Sequence, residues 1–211
     1  MPLPYTWEVV ELVAARAREI QDYLEVPFAL ENTSSYMAYT SSEMTEWEFV
    51  SEIAERANIG LMFDVNNVFV SAYNHGFDPR EFVSGVPHER IVQIHLAGHT
   101  NLGKVIIDTH RGHVSEGVWE LYRATLARTG PVSTLIEWDD AIPEWSVLAA
   151  EAEKARAIRD EVTLASPQRD ARDAEGRVSA GQAIVGGSAS HGGPRERAAN
   201  ERSALGEAVA E

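Results

Sequence analysis

Two patterns of apolar residues alternate along the first 160 residues of the chain. One is the 3.6-residue spacing typical of amphipathic helices. The other is a short, continuous apolar run, which is typical of a strand buried on both faces of a parallel sheet. The helical pattern occurs at residues 6–24, 45–58, 78–85, 115–128 and 143–161. The strand pattern occurs at residues 27–31, 60–65, 91–95, 104–108 and 132–138.

This alternation of strands and helices predicts an α/β fold in which a parallel sheet is connected by helical crossovers. We expect a TIM-type (β/α)8 barrel, in which the carboxyl ends of the strands form one rim. A doubly wound open sheet is the competing architecture. It is disfavoured because no glycine-rich phosphate-binding turn follows the first predicted strand.

The composition of the chain changes near residue 160. From Val162 onward the sequence is rich in Ala, Gly, Ser, Arg and Glu, and it contains no aromatic residue. Such a segment cannot bury enough apolar surface to offset the entropy lost on ordering. We therefore predict a barrel domain at residues 1–160 and a disordered, low-complexity tail at residues 161–211.

Charge and composition exclude several classes of function. The formal net charge of −15 argues against nucleic acid as a partner, because phosphate binding requires clustered Lys and Arg. The absence of cysteine excludes disulfides, thiolate metal sites and cysteine nucleophiles. No apolar stretch approaches the length of about 18 residues needed to cross a membrane, and no signal-peptide pattern opens the chain. We expect a cytoplasmic protein that does not associate with membranes.

Each predicted strand ends in a side chain that can bind a metal ion. In a barrel these positions share one rim, where carboxylates would repel one another unless cations held them ionised. Oxygen and nitrogen donors without sulfur suit Zn, Mn or non-haem Fe better than Ca or Mg, and several carboxylates suggest more than one ion. The candidate ligands are Glu31, Asp64, His95, Asp108 together with His110, and Glu137.

Taken singly, these residues also have structural interpretations. Glu31 is a possible helix N-cap, Asp64 a possible cap of the Asn66–Asn67 turn, and His95 a possible core histidine. The sequence Asp108-Thr109-His110 is more specific, because residues two apart on a strand share one face. Four further residues are candidates for a surrounding pocket or for substrate contacts: Tyr36, Trp138, His99, and His75 in the Asn74–Gly76 turn.

Five motifs, in order, resemble a known family. They are ENTSSYM at 31–37, DVNNVFVSAYNHGFDP at 64–79, HLAGH at 95–99, IDTH at 107–110 and TLIEWD at 134–139. Together they resemble the multinuclear non-haem iron-dependent oxidative enzymes (MNIO), which include the methanobactin-type and bufferin-type peptide maturases. The resemblance spans roughly residues 1–158, and it implies a barrel similar to that of xylose isomerases.

The resemblance also implies a function. Members of the family bind two or three iron ions, as Fe(II) and Fe(III), and use O2 as co-substrate to modify cysteine residues in ribosomally made precursor peptides. Many act with a partner protein that presents the peptide. By motif, Glu31, Asp64, His95, Asp108, His110 and Glu137 would be iron ligands. Asn67, three residues after Asp64, is a further ligand implied by the resemblance.

Two departures from the family pattern shape our expectations. The family carries further residues upstream, including its first three strands and additional histidine ligands, so we expect an N-terminally truncated member that holds about the last five strands. The acid-x-Pro sequence that follows the Asp-x-His motif in the family is replaced here by Arg111-Gly112-His113. Because five strands cannot close a barrel of eight, we predict weak or absent activity for this chain alone.

Two alternative functions remain open at this point. One is a divalent-metal sugar isomerase or hydrolase with the same barrel. The other is a non-catalytic remnant of the enzyme. A neighbouring open reading frame rich in cysteine would favour peptide modification over sugar chemistry.

Overall fold

A computed structural model of the chain describes residues 3–165. The predicted tail therefore lies outside the described residues from position 166 onward. The helices are α1 (Trp7–Leu24), α2 (Glu46–Ala57), α3 (Val65–His75), α4 (Pro79–Gly85), α5 (Glu116–Thr129) and α6 (Trp145–Ala165). The strands are β1 (Ala29–Glu31), β2 (Gly60–Asp64), β3 (Ile91–Ala97), β4 (His99–Asn101), β5 (Ile106–Asp108) and β6 (Ser133–Glu137).

Four of these strands form one parallel sheet in the order β1-β2-β3-β6. Helices connect them, as the alternating pattern predicts, and the arrangement is compatible with a TIM-like fold. Within the described residues β1 and β6 are the two edges of the sheet, so these residues do not form a closed barrel.

The apolar segment 104–108 is not a strand of the parallel sheet, and in this respect the expectation of five barrel strands is wrong. Its residues Ile106–Asp108 form β5, which pairs antiparallel with β4. The connection between them is a tight turn in which Leu102 N–H donates to the Val105 carbonyl at 2.9 Å and Gly103 has φ of +83°. A parallel pairing would need a crossover of about a dozen residues, which this segment lacks. The β4–β5 hairpin instead extends from the carboxyl end of β3.

Helix α3 is absent from the sequence prediction, which placed turns at Asn66–Asn67 and Asn74–Gly76. In its sequence, VNNVFVSAYNH, the buried positions include the polar residues Asn66, Asn67 and Ser71, so the buried face of the helix is not a continuous apolar stripe. The helix begins because the Asp64 side chain accepts a hydrogen bond from Asn67 N–H at 2.6 Å, as an N-cap does. Asp64 is therefore both the last residue of β2 and the N-cap of α3.

The other helix boundaries follow local signals. Thr45 and Glu48 form a reciprocal capping box at the start of α2, and Pro79 occupies the first turn of α4 after the N-cap Asp78. No helix among the described residues is long and apolar enough to span a membrane.

The core of the protein lies on one face of the parallel sheet. On that face Leu61, Phe63, Ile94 and Leu96 are buried beside the helices. On the opposite face Leu135 is 43% exposed and Glu137 lies at the carboxyl end of the same strand. The acidic and imidazole side chains gather at that end, on the open face of the sheet.

Candidate metal centre

Four of the predicted ligands meet at the carboxyl ends of the four parallel strands. Each of them offers one ligand atom, and these atoms all lie within 4.8 Å of one another. Strand register explains the convergence: Asp64 pairs with His95, and Glu137 pairs with Ala97, two residues beyond His95 on the same face. The four residues are Glu31, Asp64, His95 and Glu137.

His95 lies between two carboxylates. Its Nδ1 atom is 2.9 Å from Glu31 Oε1 and 3.2 Å from Glu137 Oε1, and its Nε2 atom is 3.0 Å from Gln93 Oε1. The hydrogen bond to Glu31 raises the pKa of His95, although burial acts in the opposite direction. Both ring nitrogens face oxygen acceptors, so the metal-free geometry fits a doubly protonated ring. A positive charge at this position would offset the negative charges of the Glu31 and Glu137 carboxylates.

Asp64 gives the clearest indication that this position suits a cation. Its side chain is fully buried, and Oδ2 has no hydrogen-bond partner among the described residues. Burial raises the pKa of Asp64 to about 7, and the charges of Asp108 and Glu31 act in the same direction. A buried carboxylate oxygen without a donor is costly unless a proton or a metal ion occupies it. The donor set at this position therefore fits a metal ion.

A second group adjoins the first through Glu137. His110 Nε2 lies 3.0 Å from Asp108 Oδ1, and His110 Nδ1 lies 3.4 Å from Glu137 Oε2. The neighbouring Asp108 carboxylate raises the pKa of His110 to about 9. One oxygen of Glu137 thus faces His95 and the other faces His110, whose Nδ1 also lies 3.0 Å from Asp139 Oδ2.

His110 reaches this position in a way that the sequence pattern does not predict. The pattern placed Asp108 and His110 on one strand, but β5 ends at Asp108. His110 follows in the left-handed region with φ of +46°, a conformation that non-glycine residues seldom adopt. The segment after it packs tightly on Gly98, where an added Cβ would lie 2.4 Å from the Gly112 carbonyl oxygen and 2.5 Å from that of Arg111.

Comparison with known proteins identifies the family of the chain. The family of RiPP precursor modification enzymes described as MbnB/TglH/ChrH, which modify ribosomally made peptides, matches residues 1–160. The chain belongs to this family. It is therefore a member of the multinuclear non-haem iron-dependent oxidative enzymes, as the motifs predicted.

Several curated proteins are similar to this chain over most of its length. A UPF0276 protein of Anaeromyxobacter sp. (strain Fw109-5) is 48% identical over 170 residues, covering 81% of this chain and 60% of the relative. A UPF0276 protein of Vibrio parahaemolyticus is 44% identical over 77% of this chain and 58% of its own length. One from Caulobacter vibrioides is 46% identical over 74% and 56%. The chain thus spans somewhat more than half the length of the curated relatives that it matches.

Asn67, the seventh predicted ligand of this family member, lies beside Asp64 in the first turn of α3. Its Nδ2 donates to the Asn32 carbonyl at 3.0 Å, while its Oδ1 atom is buried without a hydrogen-bond partner among residues 3–165. A free amide oxygen beside a free carboxylate oxygen is consistent with a ligand, and the assignment of Asn67 stays a prediction.

The predicted pocket residues have distinct positions. Tyr36 Oη accepts a hydrogen bond from Asp108 N–H at 2.8 Å. His99 Nδ1 lies 2.8 Å from Asn66 Oδ1. His75 is at the end of α3, where its Nε2 atom lies 2.7 Å from Ser35 Oγ. Trp138 follows Glu137, and its Nε1 atom is buried without a hydrogen-bond partner in the part of the chain that the structure describes.

Three residues that hold the ligands were not among those predicted. The Asn32 side chain clamps the backbone of Asp64, accepting from its N–H at 3.0 Å and donating to its carbonyl at 2.9 Å. Ser34 donates to Asp108 Oδ2 at 3.2 Å, and Asn66 donates to Asp108 Oδ1 at 2.8 Å. The available signal was their position: Asn32 and Ser34 follow β1 directly, and Asn66 follows β2.

Proposed function

We propose that this protein uses iron and O2 to oxidise cysteine residues of a ribosomally made precursor peptide. The observation that supports the proposal is that the Glu137 carboxylate contacts both His95 and His110 in a member of a peptide-modifying family. Family membership favours this activity over the sugar isomerase or hydrolase alternative.

The donor set supports iron as the metal. Glu31, Asp64, His95 and Glu137 would hold one ion, and Asp108 and His110 would hold a second together with Glu137. Carboxylate and imidazole ligands without sulfur are typical of non-haem iron sites. Iron and O2 supply the oxidising power when bound, and the protein supplies orientation and charge.

The ligands themselves carry out proton transfers as the site fills. Metal binding requires His95 to be neutral at its coordinating nitrogen and Asp64 to be ionised. Both groups tend to hold protons in the metal-free chain, because the pKa of His95 is raised and that of Asp64 lies at about 7. We infer that these protons leave as cations enter, so that metal binding is accompanied by proton release.

The substrate in this proposal is a peptide, because the family to which the chain belongs modifies ribosomally made precursor peptides. A separate protein presents the peptide, as the resemblance to the family implies.

Co-expression tests the proposal. The protein, in the full length that its gene encodes, is produced with each cysteine-containing small open reading frame adjacent to that gene. Peptide masses are then compared with those from cells that carry Glu137→Gln. We expect a mass change that depends on iron and O2 and disappears when the peptide cysteines are replaced by serine. Unaltered peptides in the presence of iron-loaded protein, or the same modification without O2, would contradict the proposal.

A further inference from the structure

We propose that Asn66 and His99 act as a positioning pair that fixes the orientation of the Asp108 carboxylate for metal binding. The inference rests on the proposed role of Asp108 as a ligand. It concerns residues that do not themselves bind the metal.

Asn66 is the direct link to the carboxylate. It lies in the first turn of α3 and is fully buried. Its Nδ2 donates to Asp108 Oδ1 at 2.8 Å, and the same oxygen faces His110 Nε2 at 3.0 Å. Ser34 Oγ donates to the other oxygen, Oδ2, at 3.2 Å. Both oxygens are therefore constrained by donors, and the plane of the carboxylate is defined.

His99 determines which way the Asn66 amide points. Because Asn66 Nδ2 faces Asp108, its Oδ1 atom must accept a hydrogen bond, and the nearest donor is His99 Nδ1 at 2.8 Å. The His99 ring is held by stacking on Phe69, with ring centroids 5.3 Å apart. Burial lowers the pKa of His99, which favours a neutral ring, and the adjacent Asn66 Oδ1 favours the proton at Nδ1. If the amide turned over, its oxygen would face the Asp108 carboxylate.

The backbone also joins His99 to Asp108. The two residues pair across the β4–β5 hairpin, so His99, which orients the Asn66 amide, and Asp108, which accepts its hydrogen bond, belong to one rigid unit. Partners of this kind tune ligand geometry, and their loss typically lowers metal affinity 10- to 100-fold. The pair is therefore expected to affect the metal position formed by Asp108 and His110 more than the one formed by His95.

Metal binding by variants tests the inference without peptide or O2. Affinity for Fe(II), added anaerobically, is measured by competition with a chromophoric chelator. We expect Asn66→Leu to weaken Fe(II) binding at the position formed by Asp108 and His110 by 10- to 100-fold. His99→Phe retains the stacking but lacks the donor, and should weaken binding of the same ion. His99→Asn restores an N–H near the Nδ1 position and should recover most of the affinity.

Asn74→Leu is the matched control. Asn74 lies in the same helix and joins it to β5 by two hydrogen bonds with the Ile106 backbone, each of 2.9 Å. This substitution should lower the melting temperature but change Fe(II) affinity less than about 3-fold, far below the loss expected for a ligand-orienting partner. Equal losses for Asn66→Leu and Asn74→Leu would overturn the inference, as would equal affinities of His99→Phe and His99→Asn.

A metal-free measurement provides an independent check. Nitrogen-15 NMR of the imidazole should show His99 in the Nδ1–H form in the wild type and not in Asn66→Leu. An Nε2–H form in the wild type would overturn the inference, whatever the metal content. If instead the pair behaves as expected but no peptide is modified, the proposed function fails and the positioning role stands.

Discussion

One oxygen of the Glu137 carboxylate lies 3.2 Å from Nδ1 of His95, which lies on the adjacent parallel strand. The other oxygen lies 3.4 Å from Nδ1 of His110. No other carboxylate in the described part of the chain touches both imidazoles in this way. Glu137 is therefore the carboxylate that contacts both groups of candidate ligands.

Replacement of Glu137 should consequently affect both metal positions. Glu137→Gln keeps the size of the side chain but removes its charge, and we expect the iron content to fall by more than one ion per chain. Metal analysis after anaerobic loading and desalting measures this. Glu116→Gln, at an exposed residue of α5, is the control and should retain wild-type content. Loss of a single ion from Glu137→Gln would show that the carboxylate is not shared.

Asp64 should make the metal-free protein less stable as the pH rises. Burial, followed by the charges of Asp108 and Glu31, raises the folded-state pKa to about 7, well above the unfolded value of about 3.9. The folded state thus binds the proton more tightly. The stability that this gives is present below about pH 4 and is lost as the pH rises through about 7.

The variant Asp64→Asn tests this dependence directly. The amide oxygen can still cap α3, but it has no charge to be neutralised. We expect a melting temperature in chelator that changes less between pH 5 and pH 8 than that of the wild type, and that is higher at pH 8 by several degrees. A domain of this size shifts by about 2–4 °C per kcal/mol. Asp78→Asn, at the N-cap of α4, should leave the wild-type pH dependence unchanged.

How far the sequence predicts this site can be judged from particular residues. Glu31, Asp64, His95 and Glu137 were found because each ends an apolar run, and parallel strands bring such ends together. Helix α3 was missed because polar residues occupy part of its buried face, and β5 was misplaced because a strand pattern does not reveal its pairing partner. Asn32 and Asn66 act through contacts with residues more than 30 positions away, which periodicity cannot show.

Metal affinity should increase with pH over the same range in which the ligands lose their protons. The pKa of Asp64 is about 7, and that of His110 is about 9 because of the adjacent Asp108 carboxylate. Cations must displace these protons, so binding becomes tighter as the pH rises from 6 to 9. Isothermal titration with Fe(II) or Zn(II) in buffers of different ionisation enthalpy should detect proton release at pH 7. Binding without proton release would contradict this prediction.

Gly98 should be essential for the position of His110. A Cβ at residue 98 would lie 2.4 Å from the Gly112 carbonyl oxygen and 2.5 Å from that of Arg111, and backbone atoms cannot move aside as a flexible side chain can. Gly98→Ala should therefore displace the segment that carries His110 and lower the metal content by about one ion per chain. Metal analysis and thermal unfolding measure the two effects separately.

Gly103→Ala, in the turn of the β4–β5 hairpin, provides the comparison for Gly98→Ala. Gly103 has φ of +83° but no atom within 4 Å of an added Cβ. Its replacement should cost roughly 1 kcal/mol through backbone strain, and the metal content should remain that of the wild type. If Gly98→Ala and Gly103→Ala lose stability equally and both keep their metal, then close packing at Gly98 does not position His110, and its contacts with Asp108, Glu137 and Asp139 hold it instead.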